Sequence, residues 1–390
     1  MYIKRTLAQE ILKQTKHYPV VMLTGARQSG KTTLLQNLFP QYEYLTLEDP
    51  DTLRELKDDT RAYLARKNVN MIIDEAQRFP ELFSYIQTIV DEEHKPGKFI
   101  LSGSQSFLLN ERISQSLAGR SALLTLFPLT AGELNKASLL PATRDDYLFK
   151  GGYPKIYAND LIVSDYLLGY RQTYIERDIR QMKEVVHLKP FTTFIDLSAH
   201  HVARQLNITE IASAAQTSTK TINRWLSILE ASYLTFTIQP YYKNFGKRLI
   251  KTPKFYYWDT GLACNLLGFS SPDELFGNKY TGALFENMVV SEIAKGLYYH
   301  DRMARLYYWR DSSQNEIDLI VDRGVRGTTL IEIKSSTTYK PASFSIMDKL
   351  GELFGASPDN RYLVYGGTES FTNKHGHVLS YKNIDDLFTS

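Results

Sequence analysis

The chain has 390 residues, 43% of them apolar, and carries 46 Lys and Arg against 43 Asp and Glu, a formal net charge of +3. That length exceeds one ordinary core and predicts two or three globular domains, while so mild a charge excludes a wholesale polycation, so any nucleic-acid contact has to come from local patches. The single cysteine, Cys264, excludes an internal disulfide and a cysteine-based metal site; with no signal-like apolar start and no run near the ~20 apolar residues a bilayer requires, the expectation is a cytoplasmic protein without a membrane partner.

From Met1 to about Glu133 the pattern is α/β, with strands expected near Val20, Tyr44, Met71, Phe99 and Leu123. The apolar run ending at Leu23 leads into Gly25-Ala26-Arg27-Gln28-Ser29-Gly30-Lys31-Thr32, followed by Thr33 and a helical pattern through Leu34, Leu35 and Leu38. Strand, glycine loop and helix in that order form a phosphate-binding loop. Its backbone N–H groups converge on the β- and γ-phosphates of ATP, Lys31 neutralises their charge, and the Thr32 hydroxyl holds Mg²⁺. A plain Gly-rich turn is the alternative for the loop taken alone.

Two further strand ends point to the same edge. Val69 to Ile73 delivers Asp74-Glu75 at its C-terminal end, where open parallel sheets bind ligands. An aspartate there supports the Mg²⁺ and the neighbouring glutamate activates the attacking water; an acidic N-cap is the other reading. Strand Lys98 to Leu101 ends in Ser102-Gly103-Ser104-Gln105, which places Ser102 or Ser104 to sense a γ-phosphate or simply to make a serine turn.

Between Asp145 and about Leu188 the chain becomes helical and charged, with a turn at Gly151-Gly152-Tyr153-Pro154 and a helix through Tyr174 to Arg180. Asn207 to Ala212 then opens a short helix with Thr209 as N-cap, and Ser218 to Ala231 forms a second one burying Ile222, Leu226 and Leu229. This is helix-turn-helix spacing, and the runs Tyr233 to Ile238 and Leu249 to Trp258 make a wing. Lys220, Asn223 and Arg224 on the exposed face, with Lys243, Lys247, Arg248, Lys251 and Lys254 beyond, suit phosphate and base contacts to DNA. The same surface serves equally for packing on the nucleotide domain or on a protein partner.

The C-terminal region orders its acids in a recognisable way. A helix from Ala283 to Leu297 carries Glu286, and a strand from Arg305 to Trp309 precedes Glu316-Ile317-Asp318-Leu319-Ile320-Val321. Thr328 to Ile333 brings Glu332-Ile333-Lys334, followed by a helix from about Ala342 to Phe354 and a strand at Arg361 to Tyr365. This αβββαβ order resembles the PD-(D/E)xK nuclease fold. In that chemistry Asp318 and Glu332 share Mg²⁺ or Mn²⁺, Glu286 completes the site, and Lys334 stabilises the hydroxide or the phosphorane charge. Ile317 stands where a proline often precedes the first acid, and an inert, binding-only domain is the alternative.

Taken together, the phosphate loop, Ile72 to Gln77, Leu117-Ala118-Gly119-Arg120, Tyr174 to Asp178, Asp259-Thr260-Gly261-Leu262 and the Glu-x-Lys strand resemble the bacterial and archaeal AAA-type ATPases with a C-terminal nuclease-like domain. The resemblance covers nearly the whole chain. It implies an arginine finger at Arg120 and an adenine contact at Tyr153 and Pro154; a finger acting in trans implies a homo-oligomer, one acting in cis only a monomer. The expected fold is an AAA-like P-loop NTPase sheet over 1–135, a helical lid over 136–189, a winged-helix-like module over 190–254 and a restriction-endonuclease-like α/β domain over 255–390. The expected function is Mg²⁺-dependent ATP hydrolysis acting on DNA, or a nucleotide-controlled switch binding a protein partner.

Overall fold

The computed structural model describes residues 1–66, 69–104, 116–178, 188–241 and 252–388. They form two compact units, Met1–Leu129 with Ala231–Tyr233, and Thr130–Glu230 with Leu234–Ser390.

The first unit is built on five parallel strands: β1 (Val20–Thr24), β2 (Glu43–Thr46), β3 (Met71–Asp74), β4 (Phe99–Ser102) and β5 (Ser121–Thr125). Their spatial order is β2-β3-β4-β1-β5, and every pairing is parallel. β1, β3 and β4 are buried at every residue, which is why their sequences are continuous apolar runs rather than alternating ones. Val20, Met22, Met71, Ile73, Phe99 and Leu101 pack into one core with Leu82, Phe83, Ile86 and Val90 of the helix Leu82–Glu93. The chain returns to both sides of β1, with β4 on one side and β5 on the other, so the crevice beyond Thr24 is the switch point where such sheets take ligands.

The second unit holds a nine-stranded mixed sheet. Its strands are β6 (Arg204–Gln205), β7 (Thr235–Pro240), β8 (Lys254–Tyr257), β9 (Arg305–Arg310), β10 (Glu316–Asp322), β11 (Thr328–Lys334), β12 (Arg361–Tyr365), β13 (Phe371–Asn373) and β14 (Gly376–Ser380). They run in the order β13-β14-β12-β11-β10-β9-β7-β8-β6. The twenty-residue helix Thr281–His300 precedes β9, and Ser345–Phe354 lies between β11 and β12, so the order α, β, β, β, α, β is present. Trp309, Ile317, Ile320, Leu330, Met347, Leu350 and Leu363 form a core there.

Two local details differ from the sequence expectation. The short helix spans Ile208–Ala214 and is capped by Asn207, whose side chain accepts from the Glu210 N–H at 3.2 Å, so Asn207 replaces Thr209 as the cap. The next helix, Thr219–Ala231, buries Ile222, Trp225, Ile228 and Leu229; Trp225 rather than Leu226 turns inward because Phe191 and Phe194 receive its ring at 5.3 and 5.6 Å between centroids. β7 and β8 pair antiparallel as a wing would, but β7 also pairs with β9, so strand pairing runs across residue 254. The expected cations Lys243, Lys247, Arg248 and Lys251 lie outside the described residues. No described helix is long and apolar enough to cross a membrane.

Candidate functional site

At the end of β1 the chain turns through Gly25 at φ +143°, where a Cβ would stand 2.1 Å from the Leu126 carbonyl oxygen; only glycine leaves the loop this close to the neighbouring strand. Gln28 and Gly30 also take positive φ, 62° and 92°, and the helix Lys31–Leu38 begins directly after Gly30. Lys31 is 6% exposed. Its ammonium donates to the carbonyls of Gly25 at 2.9 Å and Ala26 at 3.0 Å, and burial pushes its pKa down to about 8. The Ser29 hydroxyl is buried with no hydrogen-bond partner among the described residues. A buried cation and an orphaned hydroxyl inside a loop at a helix start are what a polyphosphate would satisfy. Arg27 faces outward toward Glu48, 3.8 Å away, and Thr33 is in the first turn of the helix.

Asp74 closes β3 and gathers four donors. Its Oδ2 accepts from the Thr32 hydroxyl at 2.6 Å and the Tyr44 hydroxyl at 2.8 Å; its Oδ1 accepts from the Ser102 hydroxyl at 2.5 Å and the Glu75 N–H at 3.1 Å. Side chains from β2, β4 and the loop helix thus meet on one buried carboxylate at the end of β3, and the Thr32–Asp74 pair has the hard oxygen donors that suit Mg²⁺. Glu75 follows in the left-handed region, φ 55° and ψ 42°. Its Oε2 accepts from the Gln77 amide and from the Ser104 hydroxyl at 3.4 Å, and burial pushes its pKa up.

The structure brings Lys31, Thr32, Asp74, Glu75 and Ser102 to one edge, and it adds residues that the motif does not include. Tyr44 is one, reachable in the sequence only by knowing that β2 lies beside β3. Arg5 is another: it is buried, and its guanidinium donates to the Ser29 carbonyl at 2.8 Å and the Phe127 carbonyl at 2.6 Å, fixing the loop from below.

Arg120 is not brought to this edge. Its carbonyl accepts from the Val20 N–H at 3.3 Å, at the start of β1, and β1 runs in register with β5 from there to Thr24. Five residues of strand at ~3.3 Å each put about 16 Å between Arg120 and the loop. Its side chain instead makes a two-point pair with Asp91, at 2.5 and 2.9 Å. A finger acting in cis is thereby corrected to a surface ion pair. Tyr153 and Pro154 belong to the second unit. Tyr153 is 1% exposed and packs on Tyr170 with centroids 4.9 Å apart, so its ring is core and offers adenine no open face. Pro154 opens the helix Pro154–Ala158. Their turn is held by Asp259, which accepts from the Gly152 N–H at 2.6 Å and the Leu262 N–H at 2.9 Å. A side chain at Gly151 would collide with that carboxylate.

In the second unit, β10 bulges against β9 between Ile317 and Ile320, which re-aims Asp318. One step along the ladder from Leu319↔Ile331, Asp318 faces Glu332 across β10 and β11. Asp318 accepts from the Ile333 N–H at 2.8 Å. The Lys334 ammonium lies 2.5 Å from Glu332 and 3.9 Å from Asp318. Burial, with Asp318 beside it, raises Glu332 to about 8. Glu286 accepts from Lys254 at 2.8 Å and Tyr256 at 2.9 Å, and burial, with the Asp318 charge adding to it, raises it to about 7. Among the described residues no three His, Cys, Asp or Glu side chains form a metal-ligand cluster. Asp318 and Glu332 thus stand side by side with Lys334, and Glu286 is held by Lys254, which the charges of both Glu286 and Asp318 act on.

Residues 17–135 match the AAA domain family, and residues 142–273 and 281–384 match two domains of unknown function, DUF8612 and DUF4143. A Haemophilus influenzae uncharacterized protein is 23% identical over 308 residues, covering 71% of this chain and 74% of its own length. Among solved structures, a Walker-type ATPase of Pyrococcus abyssi aligns with a TM-score of 0.43 at 14% identity, over 68% of this chain and 96% of that one. An uncharacterized protein of Mycobacterium tuberculosis is 32% identical over 343 residues, 87% of this chain and 75% of the relative. This chain therefore belongs to the same family as that mycobacterial protein, and its first unit is an AAA-type P-loop ATPase domain.

Proposed function

We propose that the chain is an Mg²⁺-dependent ATPase that acts on DNA. The observation that carries the ATPase reading is the convergence of Lys31, Thr32, Asp74 and Glu75 beyond the β1 and β3 ends, with the Ser29 hydroxyl buried beside them and without a hydrogen-bond partner among the described residues. Lys31 exchanges its two loop carbonyls for phosphate oxygens. Thr32 and Asp74 hold the metal, which when bound supplies charge neutralisation at the β- and γ-phosphates. Ser102 fixes Asp74 from the third strand. Glu75 takes the proton of the attacking water; burial has already moved its carboxyl toward neutrality of pH, the direction that favours a base.

The DNA reading is supported by the helix Thr219–Ala231, whose inner face is apolar while Lys220, Asn223 and Arg224 are exposed. The α, β, β, β, α, β order and the Asp318, Glu332 and Lys334 grouping support a restriction-endonuclease-like domain for the C-terminal region. One observation favours a second reading there: Lys334 is drawn onto Glu332 at 2.5 Å, an internal ion pair that suits a domain that binds without cleaving. Fluorescence anisotropy with a labelled duplex at low salt, with and without ATP, tests the DNA reading. Charge reversal at Lys220 and Arg224 should weaken binding and reduce the salt slope by about 2, roughly one per lost phosphate contact. No binding at low salt would refute it and favour a nucleotide-controlled switch with a protein partner.

A further inference from the structure

Gln77 lies two residues beyond Glu75, on the short turn Ala76–Arg78, and both ends of its amide bear on the site. The nitrogen end donates to Glu75 Oε2, which also takes the Ser104 hydroxyl at 3.4 Å. A carboxylate only accepts, so the amide nitrogen has to be the end that faces it. The oxygen end, Gln77 Oε1, is then left buried without a hydrogen-bond partner among the described residues. A buried acceptor left unpaired is destabilising, so one kept beside a base is in want of a donor. Glu75 shows the complementary feature. Among the described residues both of its side-chain donors fall on Oε2, which leaves Oε1 to take a proton, and the residue holds a left-handed backbone, φ 55°, that a non-glycine residue keeps only when its surroundings fix it.

We propose that Gln77 orients the water that attacks ATP: its amide nitrogen fixes Glu75 and its amide oxygen accepts one water proton while Glu75 Oε1 accepts the other. The step balances without a further reactant. The water oxygen bonds to the γ-phosphorus, the bond from that phosphorus to the β,γ-bridging oxygen breaks, and its electron pair leaves on ADP. The proton taken by Glu75 passes to the phosphate product or to solvent, and the second stays on the former water oxygen. Water held by two acceptors presents its lone pair in one direction, and such positioning contributes only when the reacting atoms are aligned. This inference rests on the ATPase reading above and goes further by naming the second group on the water.

The test compares steady-state ATP hydrolysis and equilibrium binding of a non-hydrolysable ATP analogue in the full chain. Gln77→Met keeps the volume and removes both polar ends. Gln77→Glu keeps an oxygen acceptor but sets a second carboxylate against Glu75. The expected result is a fall in kcat of at least about 10-fold in both, within the range general-base positioning spans, with analogue Kd within about twofold of wild type. A merely structural role would raise Kd together with the loss of kcat, or leave both unchanged, and either pattern overturns the inference. Should the wild type itself fail to hydrolyse ATP while binding the analogue, the ATPase reading falls and this inference falls with it; wild-type turnover with normal turnover in both Gln77 variants sinks the inference alone.

Discussion

Arg5 gives a sharp test of how the phosphate loop is held. It lies 24 residues before Ser29 and 122 before Phe127, and no motif includes it, yet its buried guanidinium donates to both carbonyls at 2.8 and 2.6 Å. Each hydrogen bond from a charged group contributes about 1.5–3 kcal/mol, so the pair amounts to about 3–6 kcal/mol before relaxation. Arg5→Ala leaves the two carbonyls without that donor, and water entering the vacated volume recovers part of the loss. We expect about 3 kcal/mol of destabilisation and at least a tenfold weaker Kd for an ATP analogue. Arg5→Lys keeps the charge but replaces a planar fork by a single ammonium, and should recover less than half of either effect. Denaturant titration and analogue binding by fluorescence measure the two quantities. A variant Arg5→Ala with an unchanged denaturation midpoint and an unchanged Kd would refute the idea that this contact holds the loop.

Two further expectations follow from single observations. Gly25→Ala places a Cβ at 2.1 Å from the Leu126 carbonyl oxygen in a backbone conformation that alanine avoids, so ATP-analogue binding should fall more than tenfold while the second unit's thermal transition stays put. Lys295 and Glu292 form a buried ion pair at 3.0 Å on the helix Thr281–His300, and Glu292 also accepts from the Ala131 N–H at 2.7 Å. Lys295→Met strands that carboxylate and should cost about 3–5 kcal/mol near neutral pH. Burial already raises the Glu292 pKa above its ordinary value, and losing Lys295 raises it further. The folded state then holds a proton the unfolded state has released, so the variant's deficit grows as pH rises above the ordinary carboxylate value and shrinks as pH falls toward it. Denaturant midpoints measured across that range check the sign; a deficit that grew on acidification would contradict it.

The first unit was legible in the sequence because its signals are contiguous. Continuous apolar runs ending in a glycine loop, in Asp74-Glu75 or in Ser102 mark buried parallel strands with polar ends, and all five strands formed where expected. What stayed hidden needed strand order. Tyr44 reaches Asp74 only because β2 lies next to β3, and Arg120 is removed from the loop only because β5 runs parallel to β1, which sends its start to the far edge. The cluster around Asp318 shows the same limit: the spacing of Glu286, Asp318 and Glu332 says nothing about Lys254, which arrives from β8 and takes up Glu286. Trp225 displaced Leu226 from the buried face because aromatic partners on another helix, Phe191 and Phe194, decided which side chain turned inward.

Hydrolysis of ATP at the β1 and β3 edge by Lys31, Thr32, Asp74 and Glu75 is tested by phosphate release from wild type, Lys31→Ala and Glu75→Gln beside analogue binding by each. The expected result is Mg²⁺-dependent turnover in the wild type, loss of both binding and turnover in Lys31→Ala, and retained binding with at least about a hundredfold lower turnover in Glu75→Gln. Turnover that persists in Glu75→Gln at the wild-type rate would contradict the assignment of Glu75 as the base and with it the chemistry proposed for this site.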